Sequence, residues 1–115
     1  MKENKVLDLA KDFAVEIINL CKENKFTSAM SNQILRSGTS IGANIHEANY
    51  THGKLDFVAK LKISLKECFE TEYWLELLFR TNEISEQLFN ELRNKCGSIR
   101  RILIASINTV KGEKR

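Results

Sequence analysis

The chain has 115 residues, of which 43% are hydrophobic and 29% are charged, so it is predicted to form one soluble globular domain and not a disordered segment. It contains no proline, which favours long uninterrupted helices, and no apolar run reaches the roughly 18 residues that a membrane span needs. The first residues lack the apolar core of a secretion signal, so we expect a cytoplasmic protein that contacts no membrane.

Apolar residues recur at helical spacing in four segments, which we predict as helices over residues 4–23, 28–50, 54–81 and 85–111. The first of these is amphipathic, with one apolar stripe and a charged opposite face. Only a few residues separate neighbouring segments, so consecutive helices must run antiparallel. The sequence therefore predicts an all-α, up-down-up-down four-helix bundle that forms a single domain over residues 1–115.

The second predicted helix is nearly uncharged, because only Arg36 and Glu47 carry a formal charge within residues 28–50. Each interior glycine costs a helix roughly 1 kcal/mol relative to alanine, so Gly38 and Gly42 require a compensating contact. We expect a closely packed neighbouring helix there, since the missing Cβ atoms let two backbones approach. Cover by a second subunit is the interpretation we favour for so neutral a helix. The alternative is that its serine, threonine and asparagine side chains form an ordinary solvated face.

Asn44 and Glu47 lie three positions apart on this helix and share a face. They form either a polar binding site or, as we favour, buried hydrogen-bonding anchors that tie the helix to its neighbours. On the third predicted helix Tyr73 and Trp74 are adjacent, so at least one ring points outward, as at a subunit contact. The predicted interface and structural residues are Arg36, Gly38, Ser40, Gly42, Asn44, Glu47, Tyr73 and Trp74.

The last predicted helix carries the basic character of the chain. From residue 85 onward there are seven lysines and arginines against three acids, a net charge of +4 that exceeds the +3 of the whole chain. A cationic strip on one helix is an electrostatic footprint for phosphates, although basic residues near a helix C-terminus also favour its dipole. The candidate nucleic-acid-binding residues are Arg93, Lys95, Arg100, Arg101 and Lys111, together with Lys62 and Lys66 on the third helix. Lys66 is also predicted to pair with Glu70, four residues further on.

Catalytic and metal-binding motifs are missing from the sequence. His46-Glu47 begins like a metalloprotease helix, but Tyr50 stands where that motif requires its second histidine. His46 and His52 both lack the preceding glutamate of a di-iron bundle, and we expect both at a surface or interface. The three cysteines lie on three different predicted helices: Cys21, Cys68 and Cys96. Without a C-x-x-C spacing they are predicted to be buried free thiols. We therefore predict a protein that is not an enzyme and needs no metal or cofactor.

Two strings on the second and third helices resemble a family signature. The first is RSGTSIGANI at residues 36–45 with Glu47-Ala48, and the second comprises residues 56–57, 60–61, 64–67, 70–71 and 73–75. By these strings the chain resembles the four-helix-bundle family named after 23S rRNA intervening-sequence proteins. The resemblance implies a bacterial antiparallel bundle similar to ring-forming homopentamers. It also implies kinship with the accessory protein of diversity-generating retroelements, where a basic ring is thought to hold nucleic acid and a reverse transcriptase.

Two functions remain open from the sequence. The first, which we favour, is a ring-shaped homo-oligomer, with a pentamer preferred, that binds RNA or DNA mainly through phosphate contacts. The second is a protein-interaction scaffold or accessory subunit, for example one that holds a reverse transcriptase, without nucleic-acid binding of its own.

Overall fold

The computed structural model describes residues 3–112, with side chains from residue 5 onward. It contains four helices, which we number α1 (Glu3–Glu23), α2 (Ser28–Ala48), α3 (Gly53–Arg80) and α4 (Glu86–Lys111). Within this part of the chain there is no β-strand. The predicted all-α fold class is therefore confirmed. The second helix ends two residues earlier than the predicted residue 50.

The four helices form a closed circuit of antiparallel neighbours that measures 43 × 27 × 20 Å. Contacts join α1 to α2, α2 to α3 and α3 to α4, and α4 closes the circuit against α1 with the least extensive contact. The connections at residues 24–27, 49–52 and 81–85 are too short for any other arrangement of consecutive helices. The up-down-up-down four-helix bundle predicted from the sequence is thus confirmed.

Large aliphatic and aromatic side chains from all four helices fill the core. Burying one of them contributes roughly 1.5–3 kcal/mol, so this cluster is the main source of stability. The largest fully buried side chains are Phe13, Ile17, Ile34, Ile41, Ile45, Leu61, Leu75, Leu78, Leu92, Ile99 and Leu103. All three cysteines are free thiols; Cys68 and Cys96 are buried as predicted, and Cys21 is partly exposed.

The helix ends follow their capping residues. Thr27 Oγ1 and Ser85 Oγ each accept a hydrogen bond from the backbone N–H three residues further on, at 3.2 and 3.1 Å. These bonds satisfy N–H groups that have no partner within the first turn of a helix. Gly112 ends α4 with φ 77°, a left-handed conformation that glycine adopts without a Cβ penalty.

Gly38 and Gly42 of α2 face α1 of the same chain. A Cβ atom at position 38 would lie 3.1 Å from two side-chain carbons of Ile17, and one at position 42 would lie 3.4 Å from the Ala10 Cβ. The neighbouring helix that the glycines predict is therefore α1, and these two glycines do not require a second subunit.

The outer edge of α2 is exposed in the single chain. Ala43 and His46 are exposed, whereas Thr39 and Ser40 are partly buried. The hydroxyl groups of Thr39 and Ser40 each donate to a backbone carbonyl one turn earlier, at 2.6 Å. Within one chain this edge is therefore only partly solvated, because Thr39 and Ser40 are partly buried and Ser37 is fully buried.

Candidate nucleic-acid interface

The contact between α2 and α3 contains three fully buried hydroxyl groups. Ser64 Oγ donates to the carbonyl oxygen of Ile41 at 2.8 Å, which joins the two helices directly. The hydroxyl oxygens of Ser37 and Thr71 are 2.9 Å apart, and Thr71 also donates to the Glu67 carbonyl at 2.7 Å. We call this set of contacts the α2–α3 seam. Because the side chains are small and hydrogen-bonded, the helices pack closely without unsatisfied polar groups there.

Ion pairs at one end of the seam centre on Arg36. Its guanidinium contacts the carboxylates of both Glu67, at 3.4 Å, and Glu70. Glu70 also accepts a hydrogen bond from Trp74 Nε1 at 3.0 Å. The predicted pairing of Glu70 with Lys66 is therefore corrected, because the Glu70 carboxylate is directed towards α2 and leaves Lys66 exposed.

The other end of the seam is held by Glu47, whose carboxylate lies 2.7 Å from Lys60 Nζ of α3. This hydrogen bond and the lysine charge lower the pKa of Glu47 below its usual value. Asn44 does not span the two helices; its Nδ2 donates to the Ser40 carbonyl of α2 at 2.9 Å. Glu47 thus joins α2 to α3, but as an exposed ion pair and not as the buried anchor that the sequence predicts. The expectation for Asn44 is also corrected, because its hydrogen bond lies within α2.

The outward surface of α3 carries aromatic and basic side chains in one row. Spacings of four, three and four residues place four side chains on one side of the helix: Lys62, Lys66, Phe69 and Tyr73. All four are exposed, and the exposed fraction is 53% for Phe69 and 55% for Tyr73. We call these four residues the α3 outer face. Phe69 is absent from the predicted site residues, although its spacing from Lys66 and Tyr73 is visible in the sequence.

A groove between α3 and α4 borders the α3 outer face, and we call it the aromatic groove. It encloses about 730 Å³. Its lining includes Phe69, Tyr73 and Phe79 of α3 and Phe89 and Arg93 of α4. The Phe79 and Phe89 rings are stacked, with centroids 4.8 Å apart and an interplanar angle of 4°. The Arg93 guanidinium lies 4.9 Å from the Phe89 centroid, a cation–π distance. Aromatic rings and an arginine thus share one surface.

The basic candidates on α4 do not form a single strip. Lys95 is directed towards α1, where its ammonium lies 2.7 Å from the nearer carboxylate oxygen of Glu16, and this bond raises the pKa of Lys95. Arg100 is directed towards α3 and donates from Nε to Glu72 at 2.9 Å, which raises the pKa of Arg100. Its guanidinium also lies 5.3 Å from the Phe69 centroid. Two of the five candidates are therefore already paired with carboxylates.

The remaining α4 candidates are exposed. Arg93 and Arg101 each donate to a neutral side chain one turn away, at 3.1 and 3.3 Å, and neither meets a carboxylate among residues 5–112. Lys111 lies in the last turn of α4. Lys114 and Arg115, which contribute to the charge count of the sequence, lie outside the described residues.

Gly97 brings two guanidinium groups together on α4. A Cβ atom at this position would lie 3.2 Å from Arg100 Nη2 and 3.3 Å from Arg101 Nη1. Both side chains therefore cover the backbone of Gly97, which is buried beneath them. The missing side chain leaves room for the ends of both arginine side chains, and Arg100 also contacts Phe69 at the border of the aromatic groove.

A membrane span and a metal site each have requirements that the described residues do not meet. Between residues 3 and 112 no helix combines the length and apolarity needed to cross a bilayer. In the same range no three histidine, cysteine, aspartate or glutamate side chains converge as metal ligands. His46 and His52 are both exposed, and the His46 ring lies 5.4 Å from the ring of Tyr50.

Together the fold and the seam define an antiparallel four-helix bundle whose polar motif joins α2 to α3. The chain matches the model of the 23S rRNA-intervening sequence protein family over residues 2–105, and it belongs to that family. The resemblance seen in the sequence is thereby confirmed. Most of the matching strings contribute to the seam, to its flanking ion pairs or to the glycine contact with α1.

One solved structure similar to this chain is a protein with unknown function from the S23 ribosomal protein family of Bacteroides thetaiotaomicron. It has 48% sequence identity and a TM-score of 0.86, and the match covers 94% of this chain and 99% of that one. None of the curated proteins matches the chain.

Proposed function

We propose that this protein binds nucleic acid through a basic surface shared by α3 and α4 and does not catalyse a reaction. The supporting observation is a group of exposed cations on these two helices that have no carboxylate partner within the described residues. They are Lys62, Lys66, Arg93 and Arg101. Phosphate contacts from such cations supply affinity that does not depend on sequence.

This surface differs from the strip on α4 that the charge count predicts. Arg93 borders the aromatic groove, and the opposite wall of that groove belongs to the α3 outer face. Lys95 lies on the side of α4 that faces α1, and its charge is compensated by Glu16. We therefore assign phosphate binding to the α3 side of α4. The family is named after intervening sequences of 23S rRNA, which makes RNA the first nucleic acid to test.

Fluorescence anisotropy with labelled RNA and DNA oligonucleotides tests this function. We expect binding at about 50 mM salt that weakens steeply towards about 200 mM, because each phosphate contact releases counterions. Replacing Lys62 and Lys66 by glutamine should weaken binding to every sequence and lower the salt slope by about 0.7 for each lost contact to a single strand.

A matched control replaces Lys22 and Lys25, two exposed lysines near the end of α1, by glutamine. This variant changes net charge equally and should bind like the unmodified protein. The proposed function fails if neither RNA nor DNA binds at about 50 mM salt.

A second candidate function is a protein-interaction scaffold, which a shallow groove between α1 and α2 favours. This groove encloses about 420 Å³, and small side chains at Ala10, Ala14, Gly42 and Ala43 contribute to its lining. Val15 of α1 is 54% exposed. We propose that copies of the chain assemble through this groove, with a pentamer preferred. In an accessory role, a different protein would occupy the groove instead.

Sedimentation equilibrium measures the mass of the assembly directly. A mass about five times the 13.2 kDa of one chain would support the pentamer. A monomer at micromolar concentration would contradict self-assembly, and the accessory role would then need a different protein as partner.

A further inference from the structure

We propose that the surface shared by α3 and α4 takes unpaired nucleotides, whose bases stack on Phe69 and Tyr73 while cations on either side hold the phosphates. This proposal rests on the proposed function and narrows its ligand from nucleic acid in general to single strands.

The first argument is the exposure of the two rings. Phe69 and Tyr73 are each more than half exposed on the same side of α3, so a planar group can reach the parts of the rings that Arg100 and Trp74 leave uncovered. The bases of a duplex stack on each other and present only their edges to a protein. An unpaired base has a free face and stacks on an aromatic side chain whatever its identity.

The second argument is that the rings are held in place before any ligand arrives. Phe69 is flanked by the guanidinium of Arg100, which is itself anchored to Glu72 at 2.9 Å. The rings of Tyr73 and Trp74 form an edge-to-face pair, with centroids 5.0 Å apart and an interplanar angle of 68°. A pre-positioned side chain loses less conformational entropy on binding, which favours stacking on these rings.

The third argument is the spacing of the cations. Lys62 lies eleven residues before Tyr73, or about 17 Å along α3 at about 1.5 Å per residue. A strand with stacked bases crosses that distance in about five nucleotides at roughly 3.4 Å each. Its phosphates would pass Lys62 and Lys66 before its bases reach the two rings. Arg93 lies across the aromatic groove from Phe69 and Tyr73.

The fourth argument is the sign of the charge. The two acids that line the aromatic groove are already compensated, Glu72 by Arg100 and Glu76 by Arg80 at 3.6 Å. The unpaired cations of the surface therefore leave it positive, as a polyanion requires. A second copy docked on it by two-fold symmetry would bring these like charges together, so self-association is disfavoured at this surface.

Anisotropy with a 5′-labelled single-stranded RNA of about 12 nucleotides and with its duplex form tests the proposal, since the length exceeds the five-nucleotide span above. Replacing Phe69 and Tyr73 together by alanine should weaken single-strand binding at least tenfold and leave duplex binding unchanged. Replacing Lys62 and Lys66 by glutamine should weaken both. Circular dichroism melting verifies that the variants fold, and Trp74 fluorescence should change when the single strand, but not the duplex, is added.

Each other outcome counts against the proposal in a recognisable way. Unchanged single-strand binding by the alanine variant, or equal losses on single strand and duplex, would overturn stacking while the lysine variant still supports the proposed function. A wild-type protein that binds neither RNA overturns both. If the alanine variant instead lowers the mass of the assembly without changing RNA affinity, the two rings form a subunit contact and not a nucleotide site.

Discussion

Three glycines lie inside the helices of this bundle, and their surroundings differ. Gly38 and Gly42 both face α1, where an added Cβ would press on Ile17 at position 38 and make an ordinary van der Waals contact with Ala10 at position 42. Gly97 meets only the ends of two flexible arginine side chains. The same residue type therefore serves close helix packing in α2 and the juxtaposition of two charges in α4. Sequence alone shows that a helical glycine needs a reason, but the reason depends on which atoms the neighbouring helix brings.

Replacing Gly38 by alanine is expected to destabilise the fold by up to about 2 kcal/mol. The new Cβ would press against buried Ile17, where overpacking typically costs about 1–3 kcal/mol, and a helix-propensity gain of roughly 1 kcal/mol offsets part of that cost. Gly97→Ala is the matched control, because the arginine ends can move aside and the propensity gain of up to about 1 kcal/mol remains. Urea unfolding measures both changes. Equal effects of the two substitutions would contradict this account of the contacts.

The ion pair between Glu47 and Lys60 should make a small contribution to stability that depends on pH. The folded pKa of Glu47 is depressed, so the contribution is present above the unfolded pKa and is lost as the pH falls through the folded pKa. Glu47→Gln should thus lower the melting temperature slightly at pH 7, and the variant and wild type should converge as the pH falls through the depressed folded pKa of Glu47. Lys60→Met should raise the pKa of Glu47 in a carboxyl NMR titration, and an unchanged titration would show that the pair does not form in solution.

At the scale of elements, the seam shows what a helical pattern can and cannot predict. The spacing of apolar residues predicts which side of α2 and α3 is buried. It does not predict that Ser64 meets the Ile41 carbonyl or that Thr71 meets Ser37, because those contacts depend on how far one helix is shifted along the other. The sequence therefore identifies several residues of the seam, while their partners require the structure.

A double-mutant cycle across the seam should show coupling. Ser37→Ala and Thr71→Val are each expected to destabilise the fold by about 1–2 kcal/mol, because each leaves a buried hydroxyl without its partner across the seam. The double variant should lose less than the sum, by about 0.5 kcal/mol or more. Ser40→Ala removes a hydroxyl that bonds within its own helix and should stay within about 0.5 kcal/mol of wild type. Strict additivity would mean that the two hydroxyl groups do not interact.

The basic helix α4 illustrates a different limit. A net charge describes how many cations a helix carries, but about 100° of rotation separates consecutive residues, so Arg93 and Lys95 lie on different sides. The structure directs Lys95 to Glu16 of α1 and Arg100 to Glu72 of α3. Neither pairing follows from the charge count, because both acids belong to other helices. The spacing of the four residues of the α3 outer face can be read from the sequence. The sequence does not show that the Phe69 side chain is exposed.

At the scale of the whole molecule, the four helices are unequally held. The α2–α3 contact is the most extensive and contains the seam, whereas the α1–α4 contact is the least extensive. Helices that make less extensive contacts open locally at lower free energy than those in the best-packed part of a domain. The four-helix architecture can be predicted from four periodic segments and short turns in the sequence. The order of the helix–helix contacts by extent cannot be predicted in this way.

Native-state hydrogen exchange should reveal that ranking. Backbone amides in the middle of α1 are expected to exchange faster than those in the middle of α3, because α1 can separate from α4 while the seam stays intact. Mass spectrometry of peptides from the two helices measures the difference. Equal protection of α1 and α3 would indicate that the bundle opens only as a whole.

The position of the α2–α3 seam also limits what membership of this family can predict about the ligands of a protein. Many of the residues by which this lineage is recognised lie between helices, where they determine the scaffold. Lys66 and Tyr73 of the same strings lie on the α3 outer face, whereas Lys62, Phe69 and the cations of α4 lie outside the strings. Homologues identified through this signature should therefore inherit the same architecture while remaining free to diverge in what they bind. Ligand preference within the lineage is then to be sought in the outward side chains of each member, most of which lie outside the shared motif.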